Sequence, residues 1–186
     1  MKQLLFTFFI IINAFRLCAQ QTDTAQLLEE VTVRSFEQNR KLKQVPAAIV
    51  TVNKTQLSRN LNTSILPALN SNPGIRMEER SPGSYRLNIR GSSLRSPFGV
   101  RNVKTYYNDI PYTDPGGNTY LNQLGFYNIQ SLEIIKGPGS SLYGAGTGGV
   151  LLLKTDQTDW HPGLTFNYSA GSFVLNNLNT NLRLGT

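Results

Sequence analysis

SLEIIKGPGSSLYGAGTGGVLLLKT, residues 131–155, decides the fold. In its first half Leu132 and Ile134 alternate with Glu133 and Ile135, and in its second half Val150, Leu151, Leu152 and Leu153 form an unbroken apolar run. Both halves read as strands, the second buried on both faces. Between them stand Gly137, Pro138, Gly139, Gly144, Gly146, Gly148 and Gly149. A residue without a Cβ admits positive φ and lets a second backbone come close, so this density predicts tight turns and close approach.

Two nucleotide-binding readings of the loop fail on their own requirements. Gly144, Gly146 and Gly149 satisfy G-x-G-x-x-G, but that fingerprint must open a helix and be followed about 20 residues later by an acid. Here the glycines run into the strand-like 150–153, and position 169 is Ser. Gly139 and Gly144 have P-loop spacing, but Ala145 stands where the lysine must be.

The stretch 132–155, with Leu87 to Gly91 (LNIRG) and Asn72 to Ile75 (NPGI), resembles the plug domain of the TonB-dependent outer-membrane receptors. In that family a helix ending near "PG" is followed by strands, an "IRG" strand end and a "GP…S.LYG.G..GGV" segment leading into a barrel. The order here is the same, and the resemblance covers roughly Glu29 to Trp160.

The chain has 186 residues, 39% of them apolar, with nine Phe and eight Tyr, enough for one domain with a core. The net charge of +7 would suit nucleic acid, but the basic residues are scattered, cluster in a linker, or lie in the leader, so nucleic-acid binding is not expected. One His and one Cys cannot build a structural zinc site, which needs about four ligands. No metal or cofactor is expected. His161 has no paired acid at motif spacing, so triad chemistry is not expected. The carboxylates Glu78, Glu79, Asp109, Asp114 and Glu133 suggest no acid–base pair, and the chain does not read as an enzyme.

Residues 1–19 start with Lys2, continue through an apolar run at 4–12 and end in Leu17, Cys18 and Ala19. They read as a signal peptide cleaved after Ala19, the run being shorter than the about 20 residues of a spanning helix. Arg16 and Leu17 stand where a lipidation site at Cys18 would want small residues. Cleavage after Ala19 leaves a mature chain without cysteine.

The polar extension 20–44 holds one β-prone island, EEVTVR at 29–34, followed by the charged tether SFEQNRKLKQ. Nothing local is expected to pair with the island's backbone. On its residues alone it could also be an edge strand of the next domain. The resemblance implies that Glu30, Val31, Thr32 and Val33 are the TonB box, which adds a strand to a TonB-type energy transducer. Such β-augmentation takes affinity from main-chain hydrogen bonds, so a short, loosely specified sequence suffices.

Further on, VPAAIVTVN (45–53) reads as a strand and 55–58 and 64–70 as short helices, the second stopped at Asn72, Pro73 and Gly74. Residues 75–79 and 84–90 read as a hairpin, with Tyr85, Leu87 and Ile89 on its buried face. Residues 92–103 read as an irregular loop, 104–110 as a strand and 111–119 (PYTDPGGNT) as a second loop. Arg95, Arg101, Tyr112 and Asn118 on these loops are the candidate ligand-binding residues, suited to an anionic ligand at the end of a rigid sheet. Ordinary solvated loops would show the same composition. The resemblance implies that such apical loops face an external ligand.

After a junction at 156–160 the pattern changes. Leu164, Phe166, Tyr168 and Ala170 alternate with Thr165, Asn167 and Ser169, and Leu178, Thr180, Leu182 and Leu184 alternate with Asn177, Asn179, Asn181 and Arg183. Each run has the about 9 to 11 residues of a tilted transmembrane strand, apolar outward and polar inward. A two-sided soluble sheet edge could show the same alternation. Two strands cannot close a barrel; about 22 would need on the order of 400 further residues, so the chain reads as the N-terminal piece of a longer receptor or a truncated gene product, and transport by this chain alone is not expected.

The expectation is an α+β protein: a signal peptide at 1–19, an extension with the TonB box at 20–44, a small mixed-sheet plug with short helices at 45–155, and a junction with the first two strands of an incomplete β-barrel at 156–186. The resemblance implies a gate in the outer membrane, its plug facing periplasm and lumen. Expected partners are a TonB-type transducer and a scarce extracellular nutrient such as an iron chelate. Only 20–28 separates leader and box, so the glycan-importing subclass with its extra N-terminal domain is disfavoured. The alternative is a soluble periplasmic binding or adaptor module in which 164–185 completes a sheet.

Overall fold

The computed structural model describes residues 31–37, 40–59, 64–95, 102–139, 141–155 and 162–184. The expected leader, Glu30 of the box, Arg101, the junction 156–160 and His161 lie outside the described residues.

The two halves of the 131–155 stretch are the centre of a five-stranded mixed sheet. Ile129–Lys136 forms β9 and Gly149–Thr155 forms β10. They pair antiparallel, with Leu153 opposite Leu132 and Val150 opposite Ile135. Outside β9 lies β3 (Ile49–Asn53), antiparallel, and outside β10 lies β7 (Val103–Tyr107), parallel to it and followed by the short β8 (Ile110–Pro111). The order is β3-β9-β10-β7-β8. A parallel β7–β10 pair needs a long crossover, which residues 108–148 supply.

Both faces of β9 and β10 are covered, which explains the unbroken apolar run. On one face Leu132, Ile134, Leu151 and Leu153 pack with Val52, Leu57, Leu69, Met77, Leu87 and Ile89 in the main core. On the other, Ile135, Val150 and Leu152 form a smaller cluster with Tyr143, covered by Phe36, Ile49 and Tyr106. Full burial of such a side chain is worth about 1.5–3 kcal/mol, so the central strands carry much of the stability.

The main core is closed by two short helices and a second sheet. Helix α1 (Lys54–Ser58) starts at a capping box: Asn53 Oδ1 accepts the Gln56 N–H and Gln56 Oε1 accepts the Asn53 N–H, both at 2.9 Å. Helix α2 (Leu66–Asn70) carries Pro67 in its first turn, where the missing N–H costs little. Asn70 ties it to the next strand, its amide donating to Met77 O at 2.9 Å and its Oδ1 accepting the Met77 N–H at 2.7 Å. That strand is β4 (Ile75–Glu79), paired with β5 (Tyr85–Ile89), whose Tyr85, Leu87 and Ile89 are buried as their period of two requires.

Four expectations need correction. Ser92–Arg95 is not loop but a strand, β6, paired with the free edge of β5. The run 104–110 is not one strand: Asn108 and Asp109 have φ of 49° and 67° and turn the chain between β7 and β8, as a two-residue hairpin loop demands. The strand expected from Val45 starts only at Ile49, because Pro46 has no N–H to give a ladder. Most consequentially, the box is not locally unpaired. Thr32–Val33 forms β1, antiparallel to β2 (Arg40–Lys41), with the Leu42 N–H donating to Val31 O at 3.1 Å.

Two glycines show why the loop before β10 is so permissive. A Cβ on Gly148 would lie 2.3 Å from Ser92 Cβ and 3.1 Å from Asn102 O, and one on Gly149, whose φ is +154°, would lie 2.7 Å from Ile135 O. The close backbone approach inferred from the sequence is here made by the protein's own chain.

The expected final hairpin is present as β11 (Gly163–Gly171) and β12 (Leu175–Arg183), in continuous antiparallel register and forming a sheet of its own.

Candidate functional site

Three features of the fold bear on function: the docked segment after the box, the loop at 111–120, and the cleft under the hairpin.

Val31 and Thr32 are exposed, while Val33 is fully buried. Beyond Val33 the chain is held by main-chain groups. The Arg34 N–H donates to Glu133 Oε1 at 2.9 Å and the Ser35 N–H to Glu133 Oε2 at 2.8 Å, so both carboxylate oxygens of a mid-strand β9 residue are engaged. The Phe36 N–H donates to the Tyr143 hydroxyl at 2.6 Å. The Phe36 and Tyr143 rings meet edge to face at 5.7 Å, and Tyr143 meets Tyr106 likewise at 5.4 Å. Phe36 holds a left-handed φ of 62°, which turns the chain so that β2 can return along β1.

Glu133, Tyr143 and Phe36 were not singled out from the sequence. A usable signal was present in Glu133, the one carboxylate in the β9–β10 pair, flanked by Leu132 and Ile134. A buried carboxylate demands partners, and these lie 98 and 99 residues away in the chain.

The loop at 111–120 brings two of the four candidate ligand residues together. The Tyr112 hydroxyl donates to Tyr120 O at 3.0 Å, and partial burial, then the neighbouring Tyr107, raises its pKa above that of an ordinary tyrosine. Asn118 is bound to Asp114, its main-chain N–H donating to Oδ1 at 2.7 Å and its Nδ2 to Oδ2 at 3.1 Å. These donors, the Asn118 N–H first, hold the Asp114 carboxyl below the usual aspartate range. The base of the loop is tied by Thr113, whose hydroxyl accepts the Thr105 N–H at 3.0 Å and pairs with the Thr119 hydroxyl at 3.0 Å. Tyr112 and Asn118 therefore shape the loop as well as standing on it. Arg95 ends β6.

The hairpin is two-faced. Leu164, Phe166, Tyr168 and Leu178 remain 59–67% exposed on one face. On the other, Thr165, Asn167, Asn179 and Asn181 line a cleft of about 440 Å³ whose opposite wall includes Lys54, Tyr107, Tyr127 and Gln130. The polar side is thus turned toward the mixed-sheet domain and the apolar side away from it.

A family model for the TonB-dependent receptor plug domain matches residues 41–150. The vitamin B12 transporter BtuB of Vibrio vulnificus is 27% identical over 145 residues, which is 76% of this chain and 23% of that protein. Among solved structures, the ferripyoverdine receptor of the Pseudomonas aeruginosa outer membrane superposes with a TM-score of 0.61 at 16% identity, over 81% of this chain and 19% of that one. The alcaligin outer-membrane receptor FauA of Bordetella pertussis superposes with a TM-score of 0.58 at 15% identity, over 82% of this chain and 25% of that one. At these identities the structural likeness is one of fold. This chain spans a quarter or less of the length of each of these proteins.

Proposed function

The chain belongs to the TonB-dependent receptor family, with its plug domain across residues 41–150, and on that premise we propose that it is the gating and ligand-sensing part of an outer-membrane receptor for a scarce nutrient such as an iron–siderophore complex. The family is one of receptors and transporters of the outer membrane, not of enzymes. In the proposed cycle the mixed-sheet domain fills the lumen of a barrel begun by β11 and β12. Ligand engages the segments bearing Arg95, Arg101, Tyr112 and Asn118. Glu30, Val31, Thr32 and Val33 are taken up from the periplasmic side by a TonB-type transducer, which adds the box to its own sheet and pulls.

The observation that carries this reading is the sidedness of the hairpin. A barrel wall needs apolar side chains toward lipid and polar ones toward the lumen, alternating along every strand. Phe166 and Tyr168 stay uncovered, while Asn167 and Asn179 look across the cleft at the plug. A soluble adaptor would instead bury the apolar side by adding the hairpin to an existing sheet, yet β11 and β12 pair only with each other among the described residues.

The test is binding of the chain to the purified periplasmic domain of a TonB-type transducer, measured by calorimetry. Binding is expected, and Thr32→Pro should weaken it at least about tenfold, because proline removes a ladder N–H and fixes φ. No binding by the unsubstituted chain, or equal binding by the proline variant, would overturn the assignment of the box.

A further inference from the structure

The neutral side chains under the hairpin are set in rows by strand register. Thr165 stands opposite Asn181 and Asn167 opposite Asn179, and all four line the cleft of about 440 Å³ between β11–β12 and the mixed-sheet domain. That volume is in the range of a small-molecule pocket, about 300 to 1,000 Å³. No carboxylate is among the described residues that line the cleft, and its two cations are already engaged. Lys54 Nζ donates to Tyr127 O at 2.9 Å and to Ile129 O at 3.3 Å, and Arg183 is engaged within the chain. The side chains of Asn167, Asn179, Asn181 and Gln130 hold no hydrogen bond to another described residue. The recognition capacity left in the cleft is therefore neutral.

We propose that this cleft is a binding site for a small uncharged polyhydroxyl molecule, a sugar or polyol, held by Asn167, Asn179, Asn181 and Gln130 and flanked by the rings of Tyr107 and Tyr127. The site goes beyond the receptor reading above: it uses none of Arg95, Arg101, Tyr112 and Asn118, and it needs no transducer.

The chemistry of the amide selects the ligand. A carboxamide offers both N–H donors and a carbonyl acceptor, and a hydroxyl donates and accepts through one oxygen, so the two satisfy each other in both directions. An anion only accepts; it would face the amide oxygens without a free cation to neutralise it. A cation only donates and would find no carboxylate, and an apolar ligand would leave the amides unpaired. The spacing is fixed as well. Side chains directly opposite on antiparallel strands have Cβ atoms about 4.5–5.5 Å apart, and the next residue on the same face follows after about 7 Å. Asn167, Asn179 and Asn181 thus form a triangle held by two paired strands, with the spread to meet separate hydroxyls of one ring. On the opposite wall the Lys54 bond to its carbonyl holds Tyr127 in place, and the two tyrosine rings give the C–H face of a sugar an apolar surface.

The test titrates sucrose, sorbitol and citrate into the 186-residue chain in phosphocholine micelles, which carry no sugar, and follows the side-chain amide resonances of Asn167 and Asn179. Sucrose or sorbitol should shift them saturably in the millimolar range, and citrate at the same concentrations should not. Asn179→Leu should weaken the sugar or polyol by about tenfold or more, the effect of losing a hydrogen-bonding amide and leaving its partner unpaired, while Asn176→Ala, opposite Ala170 on the outer face, should bind as the unsubstituted chain does. No saturable shift with either polyhydroxyl probe overturns the site. So does an equal response to citrate, or an equal loss in Asn179→Leu and Asn176→Ala. The comparison of probes needs no substitution, so it stands even where a variant misfolds. Because no transducer takes part, this result can fail while transducer binding succeeds, and the reverse.

Discussion

Asn108 and Thr155 exchange a pair of hydrogen bonds across 47 residues of chain, Asn108 Nδ2 donating to Thr155 Oγ1 at 2.8 Å and Asn108 Oδ1 accepting the Thr155 N–H at 2.9 Å. The Asn108 N–H also donates to Leu153 O at 2.9 Å, and Asp109 is ion-paired with Lys154. The β7–β8 turn thus clasps the last residues of β10, where the plug sheet ends and the chain leaves for the hairpin. Asn108 has a φ of 49°, so Asn108→Gly keeps the turn and deletes only the clasp. We expect it to cost about 1–2 kcal/mol in urea unfolding, the range for two modest hydrogen bonds. Asn108→Ala should cost about 1 kcal/mol more, because it adds a Cβ in the left-handed region. Equal values for the two would show that the left-handed turn conformation adds nothing, and no loss in Asn108→Gly would show that the clasp adds nothing.

Much of this architecture is written in local pattern, and what escapes is what depends on partners distant in sequence. The period-two run of Tyr85, Leu87 and Ile89 and the unbroken run from Val150 each predict their burial, because one face or both faces of a strand must meet apolar surface. Ser92–Arg95 has no such pattern; it is a strand because β5 offers it a free edge. Leu121, fully buried in a short 3-10 turn (Leu121–Gln123), gives no periodic signal at all. The box looked unpaired because its partner, Arg40–Lys41, is polar and follows a left-handed Phe36 that no propensity anticipates. Of the candidate site, Tyr112 and Asn118 fall in one loop as read from the sequence, but their bonds to Tyr120 and Asp114 are tertiary facts. Glu133 is the one carboxylate of the β9–β10 pair, but its partners, the Arg34 and Ser35 N–H groups, lie 99 and 98 residues away and no local pattern points to them.

Gly148 should tolerate no Cβ. Its backbone φ is not in the left-handed region, so the obstacle is the Ser92 Cβ at 2.3 Å and Oγ at 2.7 Å. Gly148→Ala is expected to destabilise by about 1–3 kcal/mol, the usual range for overpacking. Ser92→Gly removes both clashing atoms, so it should recover part of that loss in the double variant. The check is a double-mutant cycle by chemical denaturation. An additive cycle would mean that the strain is taken up elsewhere, at Asn102 O or in the loop.

Asp114 supplies a pH dependence whose sign can be worked out. Its carboxyl is held below the 3.8 of an ordinary aspartate, first by the Asn118 N–H. Its ionised form is therefore favoured in the folded loop, and the stabilisation is fully present above the unfolded pKa and lost as pH falls through the lower folded one. The amide resonances of Asn118 and Gly117 should titrate together, with a midpoint below 3.8, and Asp114→Asn should abolish the transition. A midpoint at or above that value would show that the loop does not close on the carboxylate in solution.

The hairpin predicts opposite responses in water and in lipid. Leu151 is fully buried in the main core, while Phe166 is 65% exposed on the outer face of β11. In aqueous unfolding Leu151→Ala should cost about 2–5 kcal/mol, whereas Phe166→Ala should fall within about 0.5 kcal/mol of the unsubstituted chain. The ranking reverses if the outer face meets lipid, as proposed. Flotation with phosphatidylcholine vesicles should then be weakened strongly by Phe166→Arg, since a cation on the lipid face of a barrel strand costs about 2–4 kcal/mol near the midplane. The same substitution at Asn167, one residue along and on the polar side of the strand, should leave flotation nearly unchanged. Equal losses at 166 and 167 would mean that the two faces are not distinguished by lipid, and the barrel reading of this hairpin would have to be given up.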